Sequence, residues 1–147
     1  MTLIRWAILV PPILLLGGSL HAEPKGVKVV AQMSDFKSDK GQVLMALFKS
    51  ADDFPTKMER ATLRGKATIK GKKATYVFKD VPPGVWAVAA VHDENKNGKM
   101  DTNFLGIPKE GWGTSRNARS RIGPPSFDDA KFTVKQGDRS FKIKMTY

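Results

Sequence analysis

The sequence predicts an all-β domain: an antiparallel β-sandwich, immunoglobulin-like or prealbumin-like, with one long ordered loop. Three observations lead there. Short apolar stretches recur with turn signals between them, the arrangement of an all-β chain rather than of strands alternating with helices. Several of these stretches alternate at period two. The last of them, FKIKM, sets Phe141, Ile143 and Met145 inward and Lys142 and Lys144 outward, as a half-solvated sheet with a guarded edge requires.

The N-terminus reads as a signal peptide at residues 1–22, cleaved after Ala22. Arg5 precedes an apolar run over residues 6–16, which gives way to Gly17, Gly18 and Ser19. That run is shorter than the ~20 residues of a spanning helix and is interrupted by Pro11 and Pro12. The implied location is periplasmic or secreted. Residues 23–147 then form a single domain, with no cysteine for a disulfide or a lipid anchor. Such an exported domain draws its stability from burial, helped by any ion it binds.

GVKVVAQM places Val27, Val29, Ala31 and Met33 on one face, whereas QVLMALF is apolar on both faces and reads as a central strand covered twice. Residues 62–69 and 74–78 read as two strands joined through Gly71, with a basic hairpin tip. In VPPGVWAVAAVHD, Pro83 and Gly84 suit the corners of a type II turn that starts a closely packed strand, Val85 onward. Periodicity disappears over residues 101–127. A loop of that length is functional or disordered, and Phe104, Leu105, Ile107 and Trp112 argue for order.

The formal charge of +11 attracts anions. Basic residues are dense in RGKATIKGKK (residues 64–73) and at Arg116, Arg119 and Arg121. Export and the lack of any nucleic-acid fingerprint exclude nucleic acid. An anionic glycan or lipid headgroup remains as partner, beside a merely solvated basic surface.

The stretch VHDENKNGKMDTN (residues 91–103) carries the chemistry. Oxygen ligands at alternating positions and a glycine for the sharp turn are what a Ca2+ loop needs. Asp93, Asn95, Asn97, the backbone carbonyl of Lys99 and Asp101 supply the first, and Gly98 the second. An EF-hand would want Glu where Phe104 stands and a helix where a strand leads in. The DxNxNGxxD spacing is closer to the calcium loops of thrombospondin type 3 repeats. Glu110, Asp128, Asp129 or water would complete the shell. The bland alternative is an Asn- and Gly-rich turn capped by its own side chains. Asp93, Glu94 and Asp101 against Lys96 and Lys99 leave the loop one unit negative, so binding is expected to be weak, on the order of 10⁻⁴ to 10⁻³ M.

Catalysis finds few candidates. After the signal peptide there is one histidine, His92, and no cysteine. His92 reads as a packed, hydrogen-bonded histidine or as a pH-sensitive group behind the ligands. Glu110 with Asp128 or Asp129 could form a glycosidase-like carboxylate pair. Trp112, Arg116 and Arg119, with Glu110, could form a ligand-binding platform for sugars or anions. Alternatively Trp112 plugs one end of the sandwich and the arginines pair with Asp128 and Asp129.

The segment GVWAVAAVHDENKNGKMDTNFLGIPKEGWGTSRNARSRIGPPSFDDAKFTV, with the earlier GQVLMALFKSADDFP, resembles the bacterial exported family called domain of unknown function 2141. PPGVWAV also resembles transthyretin-like and collagen-adhesin B-type sandwiches. The resemblance implies a secreted or periplasmic β-sandwich and no particular activity. In GWGTS, Thr114 stands where relatives are expected to carry an aromatic, which makes any aromatic platform smaller. The expected function is an exported, noncatalytic binding or scaffold module with a calcium-stabilised loop. The alternative is an enzyme acting on a cell-envelope glycan or anionic substrate, with Glu110 as acid or base.

Overall fold

The computed structural model describes residues 26–147, and the expected signal peptide lies outside them. Among the described residues are eight strands: β1 (Val27–Ser34), β2 (Gln42–Phe48), β3 (Leu63–Ala67), β4 (Ala74–Val81), β5 (Gly84–Asp93), β6 (Trp112–Thr114), β7 (Phe132–Val134) and β8 (Arg139–Lys144). One helical turn, α1 (Phe127–Ala130), is capped by the Ser126 hydroxyl, which accepts from the Asp129 N–H. No helix among these residues is long and apolar enough to cross a membrane.

The strands form two sheets. One has the order β4-β1-β8; the other runs β3-β2-β5, with β6 and β7 both on the far edge of β5. The expected all-β sandwich is therefore what the chain forms. Every named strand pair is antiparallel except β1 with β8. Those two strands come from opposite ends of the described chain, so no short turn dictates their relative direction.

Period two explains the main core. Val29, Ala31 and Met33 of β1, Phe78 of β4 and Ile143 of β8 face Val43, Met45 and Leu47 of β2 and Trp86, Val88 and Ala90 of β5. Each large side chain buried here contributes roughly 1.5–3 kcal/mol relative to exposure. Trp86 also satisfies its one polar atom, since its Nε1–H donates to the Pro82 carbonyl at 3.0 Å. The apolar reverse face of β2 is covered as well: Ala46, Phe48, Ala87 and Ala89 pack under Phe54, Phe127 and Ala130. Phe48, Phe54 and Phe127 meet edge to face at centroid distances of 5.4 and 5.8 Å.

Three local expectations need correction. The strands on either side of Gly71 do not form one hairpin. They share a tight turn closed by Lys70 and Lys73, after which β3 pairs with β2 and β4 with β1 in the opposite sheet. Second, Gly84 has φ 150° and is already the first residue of β5, far from the ~+80° of a type II turn. Third, residues 101–127 contain a strand, β6, too short to show a period. Over residues 103–107 the backbone is not held by buried apolar side chains, because Phe104, Leu105 and Ile107 are exposed. It is held there by Asn103, whose Oδ1 accepts from the N–H groups of Leu105 and Ile107 at 2.9 and 3.0 Å.

Asp39 anchors the basic turn between the sheets, accepting from the N–H groups of Gly71 and Lys72 at 2.8 and 2.6 Å. The Lys72 bond, then the Gly71 bond, holds its carboxyl below the ordinary value of 3.8. A depressed folded-state value means that the contribution is present above the unfolded value and is lost as pH falls through and below it. Melting temperature should therefore drop below about pH 4, and Asp39→Asn should make the drop shallower. Thermal melts from pH 2.5 to 7 check this; parallel acid limbs for the two proteins would contradict it.

Candidate functional site

β5 ends at Asp93, and the β2–β5 register sets Asp93 opposite Gln42. Asp93 is fully buried, and its carboxylate organises the loop that follows. Oδ1 accepts from Asn97 N–H at 2.9 Å; Oδ2 accepts from Gly98 N–H at 2.9 Å and from Gln42 Nε2 at 2.7 Å. Two residues of the loop have positive φ, Lys96 at 61° and Gly98 at 82°, and the second is where glycine is favoured.

The remaining candidate ligands close the loop over itself. Asn95 Nδ2 donates to Asp101 Oδ2 at 2.7 Å, and Asn97 Nδ2 donates to Asp101 Oδ1 at 2.8 Å. Their oxygens accept from the backbone: Asn95 Oδ1 from Asn97 N–H, and Asn97 Oδ1 from Lys99 N–H. The Asn97 amide, then that of Asn95, holds the Asp101 carboxyl below its ordinary value. Asp93, Asn95, Asn97, Lys99 and Asp101 thus belong to one hydrogen-bonded ring. The self-capped turn is the arrangement seen, and the side chains in it are those that the cation alternative requires.

Glu110 lies beneath this ring, only 5 % exposed. Its Oε1 accepts from Glu94 N–H at 2.8 Å and its Oε2 from Asp101 N–H at 2.9 Å. The carboxylate therefore clamps both ends of the loop and does not face the groove beside Trp112. Asp128 and Asp129 do not join it: Asp128 pairs with Lys131 at 2.7 Å, and Asp129 accepts from the Ser126 hydroxyl at 2.6 Å. No glycosidase-like pair with Glu110 is assembled among the described residues.

His92 is fully buried, with Nε2 2.7 Å from the Lys40 carbonyl and Nδ1 2.6 Å from the Tyr147 hydroxyl. A carbonyl only accepts, so Nε2 carries the hydrogen, and in the neutral ring Nδ1 accepts from Tyr147. Burial raises the Tyr147 phenol above its ordinary value, which favours the protonated form that donates. This is the packed histidine. Phe36 seats its ring edge-on at 5.2 Å.

The expected platform divides. Arg119 lies over the half-buried Trp112 ring, 5.7 Å from its centroid, and bonds to Thr146 Oγ1. Arg116 turns elsewhere and donates to the Lys131 carbonyl at 3.4 Å. Consecutive positive φ values at Arg116 (60°) and Asn117 (52°) redirect the chain between the two arginines. Neither pairs with Asp128 or Asp129, and Trp112 does not plug the sandwich; the register sets it beside Val91 on the outer face of the sheet. The Gln42 contact has no local signal in the sequence, and Glu110, one of the residues expected to complete the loop's shell, clamps the loop through backbone N–H groups instead.

Fold and site together define a β-sandwich domain in which a polar loop, closed on itself and clamped from below, follows the central strand of one sheet. Residues 31–142 match the model of a family described as uncharacterized protein conserved in bacteria (DUF2141), and the chain belongs to that family. No curated protein and no solved structure matches it.

Proposed function

We propose that the protein is an exported, noncatalytic binding or scaffold module whose loop takes up a weakly held Ca2+ through Asp93, Asn95, Asn97, the Lys99 carbonyl and Asp101. The observation that carries this reading is the convergence of two amide NH2 groups on the two oxygens of Asp101. Those donors place partial positive charge where a cation would act. Turning each amide about its last bond exchanges nitrogen for oxygen and makes the ring a set of hard oxygen ligands. Gly98 and the buried Asp93 provide the sharp turn such a loop needs. Mg2+ suits the ring less well, because it demands near-octahedral geometry and gives up water reluctantly.

The noncatalytic part of the reading is supported by the two groups an enzyme would use. Glu110 has both oxygens engaged by loop N–H groups, and His92 has both nitrogens engaged, so neither is presented to a substrate. Export is supported by the N-terminal sequence pattern.

At 10 mM Ca2+ and a Kd of ~1 mM, linkage gives about 1.4 kcal/mol of added stability. The melting temperature should rise by a few degrees in Ca2+, return to its starting value in chelator, and respond about as much less to Mg2+ as the affinity falls. In Asp101→Ala the Ca2+ response should vanish. Superimposable melts with Ca2+ and with chelator would sink the proposal.

A further inference from the structure

The outer face of the second sheet carries a groove that the loop chemistry does not use. The ladder pairs put Lys66, Leu44, Val91 and Trp112 in one row across β3, β2, β5 and β6, and Arg64, Ala46, Ala89 and Thr114 in the next. Leu44, Ala89 and Val91 line its floor, with two cations at the β3 edge and an indole at the β6 edge, while Ala46 is already buried under Phe54 and its neighbours. Over the β5–β6 half lies a cavity of about 590 Å³, walled by Met58, Met100, Leu105, Ile107, Trp112 and Pro125. A second hollow of about 650 Å³ adjoins it over β3, sharing Thr56, Met58 and Met100, and brings in Arg64, Lys66 and Lys99. Each volume lies within the ~300–1,000 Å³ of small-molecule sites.

The two halves differ in chemistry. The first is lined by methionines, aliphatic residues, prolines, three threonines and Trp112, and Leu105 and Ile107 stand 68 % and 55 % exposed along it. Exposed apolar side chains gathered along one groove mark a surface that is covered in use. The second half sets Arg64, Lys66 and Lys99 against a single carboxylate, Glu59. None of these three cations enters an ion pair among the described residues. A ligand complementary to both halves needs an apolar body and one negatively charged end.

We infer that this groove binds a single-chain anionic amphiphile, its hydrocarbon chain lying over Ala89 and Val91 toward Trp112 and its anionic head at Arg64, Lys66 and Lys99. Methionine and aliphatic walls adapt to a flexible chain and set no register along it. The charged end fixes direction. The inference deepens the binding-module reading by naming the ligand class, and does not require the loop to hold Ca2+.

The test is calorimetric titration of the protein with octanoate, decanoate and dodecanoate below their micelle ranges, in chelator and at low salt. Working in chelator keeps this result separate from the Ca2+ reading. Affinity should rise with chain length, by at most about four-fold per methylene. The uncharged 1-decanol should bind about five-fold more weakly than decanoate. Arg64→Glu with Lys66→Glu should remove that preference. Ile107→Asp, at an exposed wall position, should weaken all three acids. Lys142→Glu with Lys144→Glu makes the same charge change on the edge strand of the other sheet and should leave decanoate affinity unchanged. Four results would each overturn the inference: no decanoate heat, no chain-length dependence, equal loss in both charge-reversal pairs, or binding to phosphatidylglycerol vesicles without binding to the monomeric acids.

Discussion

Asp93→Ala should lower the free energy of unfolding by about 2–4 kcal/mol, the largest effect expected of any change in the loop. The carboxylate is fully buried and accepts three hydrogen bonds, from Asn97 N–H, Gly98 N–H and Gln42 Nε2. Bonds to an ionised acceptor are worth about 1.5–3 kcal/mol each. The sum is discounted because Asn97 and Gly98 are exposed and can turn their donors to water. Asp93→Asn keeps one acceptor oxygen and should cost roughly half as much. Urea unfolding with an unchanged slope measures both. A loss under about 1 kcal/mol for the alanine variant would mean that the loop does not depend on this residue.

Glu110→Ala comes next, with an expected loss of about 2–3 kcal/mol. Its two oxygens join the start of the loop at Glu94 to its end at Asp101, so one side chain closes a segment that makes few apolar contacts of its own. The effect should also be local. Amide exchange at Glu94 and Asp101 should speed up, and the same acceleration should spread to Asn97 and Gly98, while the central residues of β1 and β2 keep their protection. Exchange that rises uniformly through both sheets would show that Glu110 supports the fold at large and not the loop. Glu110→Gln separates charge from shape: it keeps the size but offers one acceptor and presents an NH2 group to a backbone N–H.

Much of the frame could be read from local pattern. The strict alternation of β1 and β8 named their buried faces, and the doubly apolar β2 marked a strand covered twice. The Asp93–Asp101 ring was legible because its residues lie within nine positions of each other, so spacing alone brings them together. Contacts made at long separation were not. Gln42 reaches Asp93 across 51 residues, through a strand register that no local signal specifies. The division of β3 and β4 between sheets was hidden for a related reason: the Gly71 turn looks the same whether the strands stay together or part after one bridge. Arg116 and Arg119 looked like partners in sequence, yet left-handed backbone at Arg116 and Asn117 points the chain two ways. Glu110 reads from sequence as a further ligand of the loop or as an acid, because nothing in its neighbours reveals that two N–H groups await it.

The most direct test of the central claim is a Ca2+ titration of the protein followed by amide-resolved NMR. The account predicts saturable shifts confined to residues 93–101 and the neighbouring Glu110 and Gly111, with a midpoint on the order of 10⁻⁴ to 10⁻³ M, and their loss in Asp101→Ala. Loop amides that stay in place through 10 mM Ca2+ would contradict it and leave a turn held only by its own side chains.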